Sequence, residues 1–183
     1  MNEGHEQRPS DRQPPSPLWA WVEAARPRTL PASLMPVLMG AAVAARLDAF
    51  HLAPVLLCAA FAFLIQVATN FANDYFDFMK GADTEERIGP NRAVASGWIA
   101  PEVMWRATRL TLALALGVGS GLIYFGGWWL LGVGLASVAG ALAYTAGPFP
   151  LAYRGWGDVF VVFFFGVVAV TVTVYVQTGT WES

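Results

Sequence analysis

An all-α, multi-spanning transmembrane helix bundle is the architecture this chain encodes, and three features point to it. Of its 183 residues 56% are hydrophobic and only 13% are charged, against about 25% charged in a soluble domain. That is too little charge to cover the surface against water. The apolar residues gather into five long stretches, each close to the ~20 residues a helix needs to cross the hydrocarbon of a bilayer. Much of the remaining charge is concentrated in one link, Asn70 to Arg92. The formal net charge of -2 gives no global field toward nucleic acid, so the expected partner is the lipid bilayer and no nucleic acid. Cys58 is the single cysteine; it excludes an intrachain disulfide and a multi-cysteine metal site, and its apolar surroundings make it a packing residue.

In chain order, Met1 to Pro17 is polar and proline-containing with no apolar core. Residues 1–17 therefore read as a disordered tail and not as a cleavable signal peptide, and residues 18–183 as one membrane domain. Trp19 to Arg28 is an interfacial lead-in, with rings at headgroup depth and Arg26 and Arg28 at the membrane edge. A first span is expected from about Thr29 to Ala45, with Pro31 and Pro36 inside it and a small-residue face of Gly40, Ala41 and Ala44 for close packing. The second runs from about Leu52 to Asn73. Gln66, Thr69, Asn70, Asn73 and Asp77 recur along it at helical spacing, which makes one polar stripe. Such a stripe is costly against lipid, so it faces a protein-lined cavity or forms a hydrogen-bonded seam between helices.

A hydrophilic segment, Asp74 to Ala100, follows. Pro101 suits the first turn of a third span to Phe125, although Ala100 is a poor cap. The Gly126-Gly127 turn and the Trp128-Trp129 anchor lead to a fourth span, ending near Thr145. A fifth, from about Val159 to Val176, is rich in β-branched residues like a strand, but its length and company favour a helix. Arg26, Arg28, Lys80, Arg87, Arg92, Arg106, Arg109 and Arg154 fall on one side of this arrangement. The positive-inside rule then puts the N-terminus and the Asn70 to Arg92 link in the cytoplasm.

That link, NFANDYFDFMKGADTEERIGPNR, holds the candidate chemistry. Asn73 and Asp77 lie four apart, on one helical face. Gly81 lets the chain leave the helix so that Asp83 can return toward Asp77. Two carboxylates and an amide oxygen then meet around one hard cation, with Lys80, Arg87 and Arg92 near to receive an anion. This suits Mg²⁺ with a diphosphate, since Mg²⁺ is held by few carboxylates plus phosphate oxygens and water. The plainer alternative makes Asp83-Thr84-Glu85-Glu86 a helix cap with acids in its first turn, broken soon after by Gly89-Pro90. Asp74 is turned about 100° from Asn73 and is expected to back the site or face an interface. Tyr75 and Phe76 are packing residues, and His5 and His51 are surface residues without partners at ligand spacing.

NDYFDFMKGADTEERIGPNRAVASG resembles the first aspartate-rich motif of the UbiA-type intramembrane aromatic prenyltransferases. The stretches ARPRTLPASLMPVLMG, YTAGPFPLAYRGWGDVFVVFFFGVVAV and YVQTG extend the resemblance over nearly everything after the tail, toward the menaquinone-pathway branch. The resemblance implies a nine-helix bundle, of which about five helices are present here, in the inner cell membrane. It also implies Mg²⁺-dependent transfer from polyprenyl diphosphate to 1,4-dihydroxy-2-naphthoate, with loss of CO₂ and diphosphate. Carried over by position, Asn73, Asp77 and Asp83 bind the diphosphate through its metal. Lys80, Arg87 and Arg92 contact the diphosphate, Gln66 and Asn70 contact substrate from the stripe, and Tyr144 and Tyr153 line the pocket. The family's second aspartate-rich motif does not occur in this sequence, so the chain is expected to be an N-terminal portion with little or no activity alone. The alternatives are a related prenyltransferase for another aromatic acceptor, and a non-enzymatic transport or scaffold protein that uses the stripe as a permeation path.

Overall fold

The computed structural model describes residues 16–81, 92–146, 150–151 and 155–179. Every regular element in them is helical, as expected. Helix α1, Pro17–Ala25, starts one residue inside the expected tail because Pro17 takes the first position and the Ser16 hydroxyl caps it, accepting from the Trp19 N–H. Arg26, at φ 52° and ψ 71°, turns the chain into the 3₁₀ turn Pro27–Thr29. Helix α2, Leu30–Arg46, follows, with Pro31 in its first turn and Pro36 inside it.

Helix α3, Leu52–Met79, does not stop at Asn73. Nothing between Asn73 and Met79 breaks a helix, and the ring contacts of Tyr75 and Phe76 with Trp105 fasten that extension to α4. The chain leaves at Lys80 and Gly81, the latter at φ +64°, where the sequence expects it to. Helix α4, Pro101–Ser120, begins on Pro101 with no side-chain cap from Ala100. A short helix α5, Ile123–Gly126, and the turn at Gly127 lead to α6, Trp129–Ala143. Helix α7, Gly157–Thr178, closes the described chain. Pro17–Arg46, Leu52–Met79, Pro101–Gly126 and Gly157–Thr178 are each long and apolar enough to cross a membrane, whereas α6 is shorter than the span expected there.

One feature of α7 departs from the expected regular helix: Val162–Val168 is a π-helix.

Helix α3 is the hub, packed against α1, α2, α4, α6 and α7. Close approach relies on small residues, as expected for α2: Ala44 is buried, and a Cβ on Gly40 would lie 2.7 Å from Thr173 Cβ. Cys58 sits in an apolar cluster with Val37, Val55 and Val176. A second cluster joins Ala20 and Ala24 of α1 and Phe71 of α3 to Ala93, Val94, Ile99 and Met104, so the segment entering α4 is seated under α1 and α3.

Candidate functional site

The polar stripe of α3 has two surroundings. Toward the N-terminal segment it is a seam: Asn70 Nδ2 donates to the Ala25 carbonyl at 2.8 Å and to Thr29 Oγ1 at 3.0 Å, and Gln66 Nε2 reaches the same hydroxyl at 3.4 Å. The same stripe also forms part of the wall of a cavity of about 380 Å³, within the range of ligand pockets. Arg26, Thr29, Gln66, Thr69, Asn70, Asn73 and Tyr144 are among its polar groups, and Val37, Phe61, Leu116, Phe160, Phe164 and Val172 are among the apolar ones. The seam and the cavity, alternatives in the sequence, are both present. Gln66, Thr69, Asn70 and Asn73 of the stripe line the cavity, and Asp77 lies beyond it. Ala32, whose carbonyl Pro36 leaves without its usual intrahelical donor, also lines this cavity.

One turn farther along α3 lies the charged cluster. Asn73 and Asp77 share a face, as their spacing requires, and both are buried. The Asn73 Oδ1 accepts from the Thr145 hydroxyl at 2.8 Å, and the Thr145 carbonyl accepts from Lys80 Nζ, so the end of α6 is tied to α3 twice. The Asp77 carboxylate is paired with the Arg92 guanidinium, both nearly excluded from solvent. Asp74 is 2% exposed and accepts from the N–H groups of Ala93 at 3.0 Å and Val94 at 3.3 Å.

The structure therefore brings together Asn73, Asp77, Lys80 and Arg92, with Gln66, Asn70 and Tyr144 on the adjoining cavity. Asp83, Arg87 and Tyr153 lie outside the described residues, as does His5. Asn73 and Asp77 present hard oxygens one turn apart, a donor set that suits Mg²⁺ shared with phosphate and water. Among the described residues no three His, Cys, Asp or Glu side chains gather around one point.

Three participants escaped the sequence reading. Thr29 and Thr145 are hydroxyls in apolar surroundings, a weak signal that becomes specific only when the far helix supplies the partner. Arg26 was placed at the membrane edge, yet it lines the cavity, because its left-handed backbone bends α1 over α3.

The profile of the UbiA prenyltransferase family matches residues 33–183. The 1,4-dihydroxy-2-naphthoate octaprenyltransferase of Mycobacterium tuberculosis is 41% identical over 157 residues, 86% of this chain and 53% of the relative. The proteins of that name from Haemophilus influenzae and Escherichia coli are 40% and 38% identical, over 89% and 88% of this chain and 56% and 54% of their own lengths. The chain spans about half the length of these relatives.

Proposed function

This chain belongs to the UbiA prenyltransferase family, and from that premise we propose that it supplies the first diphosphate-binding face of an enzyme acting on polyprenyl diphosphate and 1,4-dihydroxy-2-naphthoate. The product of that reaction is demethylmenaquinone. The observation that carries the reading is the continuity of a charged cluster, Asn73, Asp77, Lys80 and Arg92, with an apolar cavity whose rim holds Asn70 and Tyr144. A charged head on an oily tail is the ligand with that division of chemistry. The naphthoate acceptor is supported by the names of the relatives and by the extent of their identity.

In this reading Lys80 and Arg92 hold the diphosphate, and Arg92 turns part of its hydrogen-bonding capacity from Asp77 to phosphate oxygen. Asn73 and Asp77, with Asp83 as the further carboxylate that the motif assigns, would hold Mg²⁺, which would supply charge neutralisation for the departing diphosphate. The allylic C–O bond breaks and its electron pair leaves with the diphosphate. The cavity walls, Phe160 and Phe164 among them, keep water from the allylic carbon. The naphthoate carbon bearing the carboxylate supplies the pair for the new C–C bond, and loss of CO₂ from that carbon restores the aromatic ring. Gln66, Asn70 and Tyr144 line the cavity and would orient the acceptor, with Tyr153 a further candidate by sequence, and Arg87 adds positive charge to the link. The arginine distribution supports a cytoplasmic position for the link, and the family resemblance supports the inner membrane as its location.

The test is binding of geranylgeranyl diphosphate to the chain in lipid nanodiscs, with Mg²⁺ and with excess chelator. Affinity should fall by about tenfold or more when the metal is removed, the equivalent of about 1.4 kcal/mol. Equal affinity in the two conditions overturns the reading. In any preparation that turns over, product analysis with dihydroxynaphthoate, homogentisate and 4-hydroxybenzoate identifies the acceptor.

A further inference from the structure

We infer that Asp74 is a positioning residue that sets Arg92 against the diphosphate site by capping the turn that begins at Ala93. Three observations carry this. Asp74 is among the most deeply buried charged groups described, at 2% exposure, and its two carboxylate oxygens are spent on two successive backbone N–H groups, Ala93 and Val94, nineteen and twenty residues away. Those N–H groups open a single helical turn: the Arg92 carbonyl accepts from Ser96, the Ala93 carbonyl from Trp98, and Gly97 at φ +71° ends it. The first N–H groups of such a turn have no partner within it. A carboxylate reaching across from α3 satisfies them as an N-cap would, and charge makes the bonds stronger than neutral ones.

The third observation is geometric. Arg92 is the residue immediately before the capped turn, and its guanidinium meets Asp77, one turn along α3 from Asp74. Asp74 and Asp77 thus grip the same segment from one helix, one by backbone and one by side chain. Ala93, at 0% exposure, and Val94, at 3%, pack into the cluster with Ala20, Phe71 and Met104, so the turn cannot slide without opening that cluster. Asp74 acts on the ligand only through Arg92.

This inference rests on the diphosphate reading above, and the experiment separates the two. The chain in nanodiscs is titrated with inorganic diphosphate and Mg²⁺ as wild type, Asp74→Asn, Arg92→Ala and the double variant, and amide hydrogen exchange is followed in all four. Losing the placement of one charge-assisted contact should weaken binding by about tenfold in Asp74→Asn. In the Arg92→Ala background the same change should have almost no further effect. Additive losses, or an unchanged affinity in Asp74→Asn, overturn the inference and leave the functional reading standing. If the wild type binds no diphosphate with Mg²⁺, the functional reading falls, and the ligand role of Arg92 falls with it. Exchange in the unsubstituted chain tests the cap without any variant: the Ala93 and Val94 amides should be the slowest of residues 92–99, and rapid exchange there overturns the proposal even if Asp74→Asn fails to fold.

Discussion

Asp77 meets Arg92 in a buried ion pair, and that contact makes the candidate site sensitive to single substitutions. Asp77→Ala removes the carboxylate against which a buried guanidinium is placed, a change that costs about 3–5 kcal/mol in comparable pairs. It should lower the thermal midpoint of the detergent-solubilised chain and abolish the metal-dependent part of geranylgeranyl diphosphate binding. A permeation or scaffold protein would lose stability and leave any such binding unchanged. The spacing of Asn73 and Asp77 was legible in the sequence because helical periodicity dictates it, whatever the rest of the fold does. The partners were not. Arg92 for Asp77, Thr145 for Asn73 and the backbone of Ala93 and Val94 for Asp74 are set by how separate helices dock, and no local pattern encodes that.

Between helices, the glycines divide by what surrounds them. A Cβ on Gly40 would lie 2.8 Å from the Val170 carbonyl oxygen as well as against Thr173, whereas one on Gly117 of α4 would meet nothing within 4 Å. Gly40→Leu should therefore destabilise the α2–α7 contact by about 1–3 kcal/mol through overpacking. Gly117→Ala should be neutral or stabilising by up to about 1 kcal/mol, because alanine favours the helical backbone. Unfolding of the two variants in mixed detergent, read against the wild type, checks the contrast. The small-residue face of α2 could be read from Gly40, Ala41 and Ala44 alone. The π-helix Val162–Val168 could not, since β-branched and aromatic runs look the same whether they relax into a strand, an α-helix or a wider turn. The helical exit at Gly81 was legible from that glycine, although the apolar span itself was drawn only to Asn73.

Taken whole, the molecule keeps its apolar cavity and its charged cluster on adjoining parts of one wall, so tail and head recognition should be separable. Ala169 lines the cavity, away from Asn73 and Asp77 in sequence and on a different helix. Ala169→Trp should reduce affinity for geranylgeranyl diphosphate by about tenfold or more by filling the space for the tail, and leave inorganic diphosphate binding within about twofold of wild type. A parallel loss for both ligands would mean that the cavity and the cluster are one site. The five apolar stretches were legible from length and composition; the void was not, because it forms from the shapes of facing side chains on five helices. Helix α3 has 28 residues, about 42 Å at 1.5 Å per residue, against a hydrocarbon layer of about 30 Å. With Leu52 set at one edge of that layer, the last two turns stand clear of the other edge. An amphiphile resting in its own leaflet would then have its phosphates level with the carboxylates without being lifted out, and could arrive sideways from the lipid while the ion arrives from water.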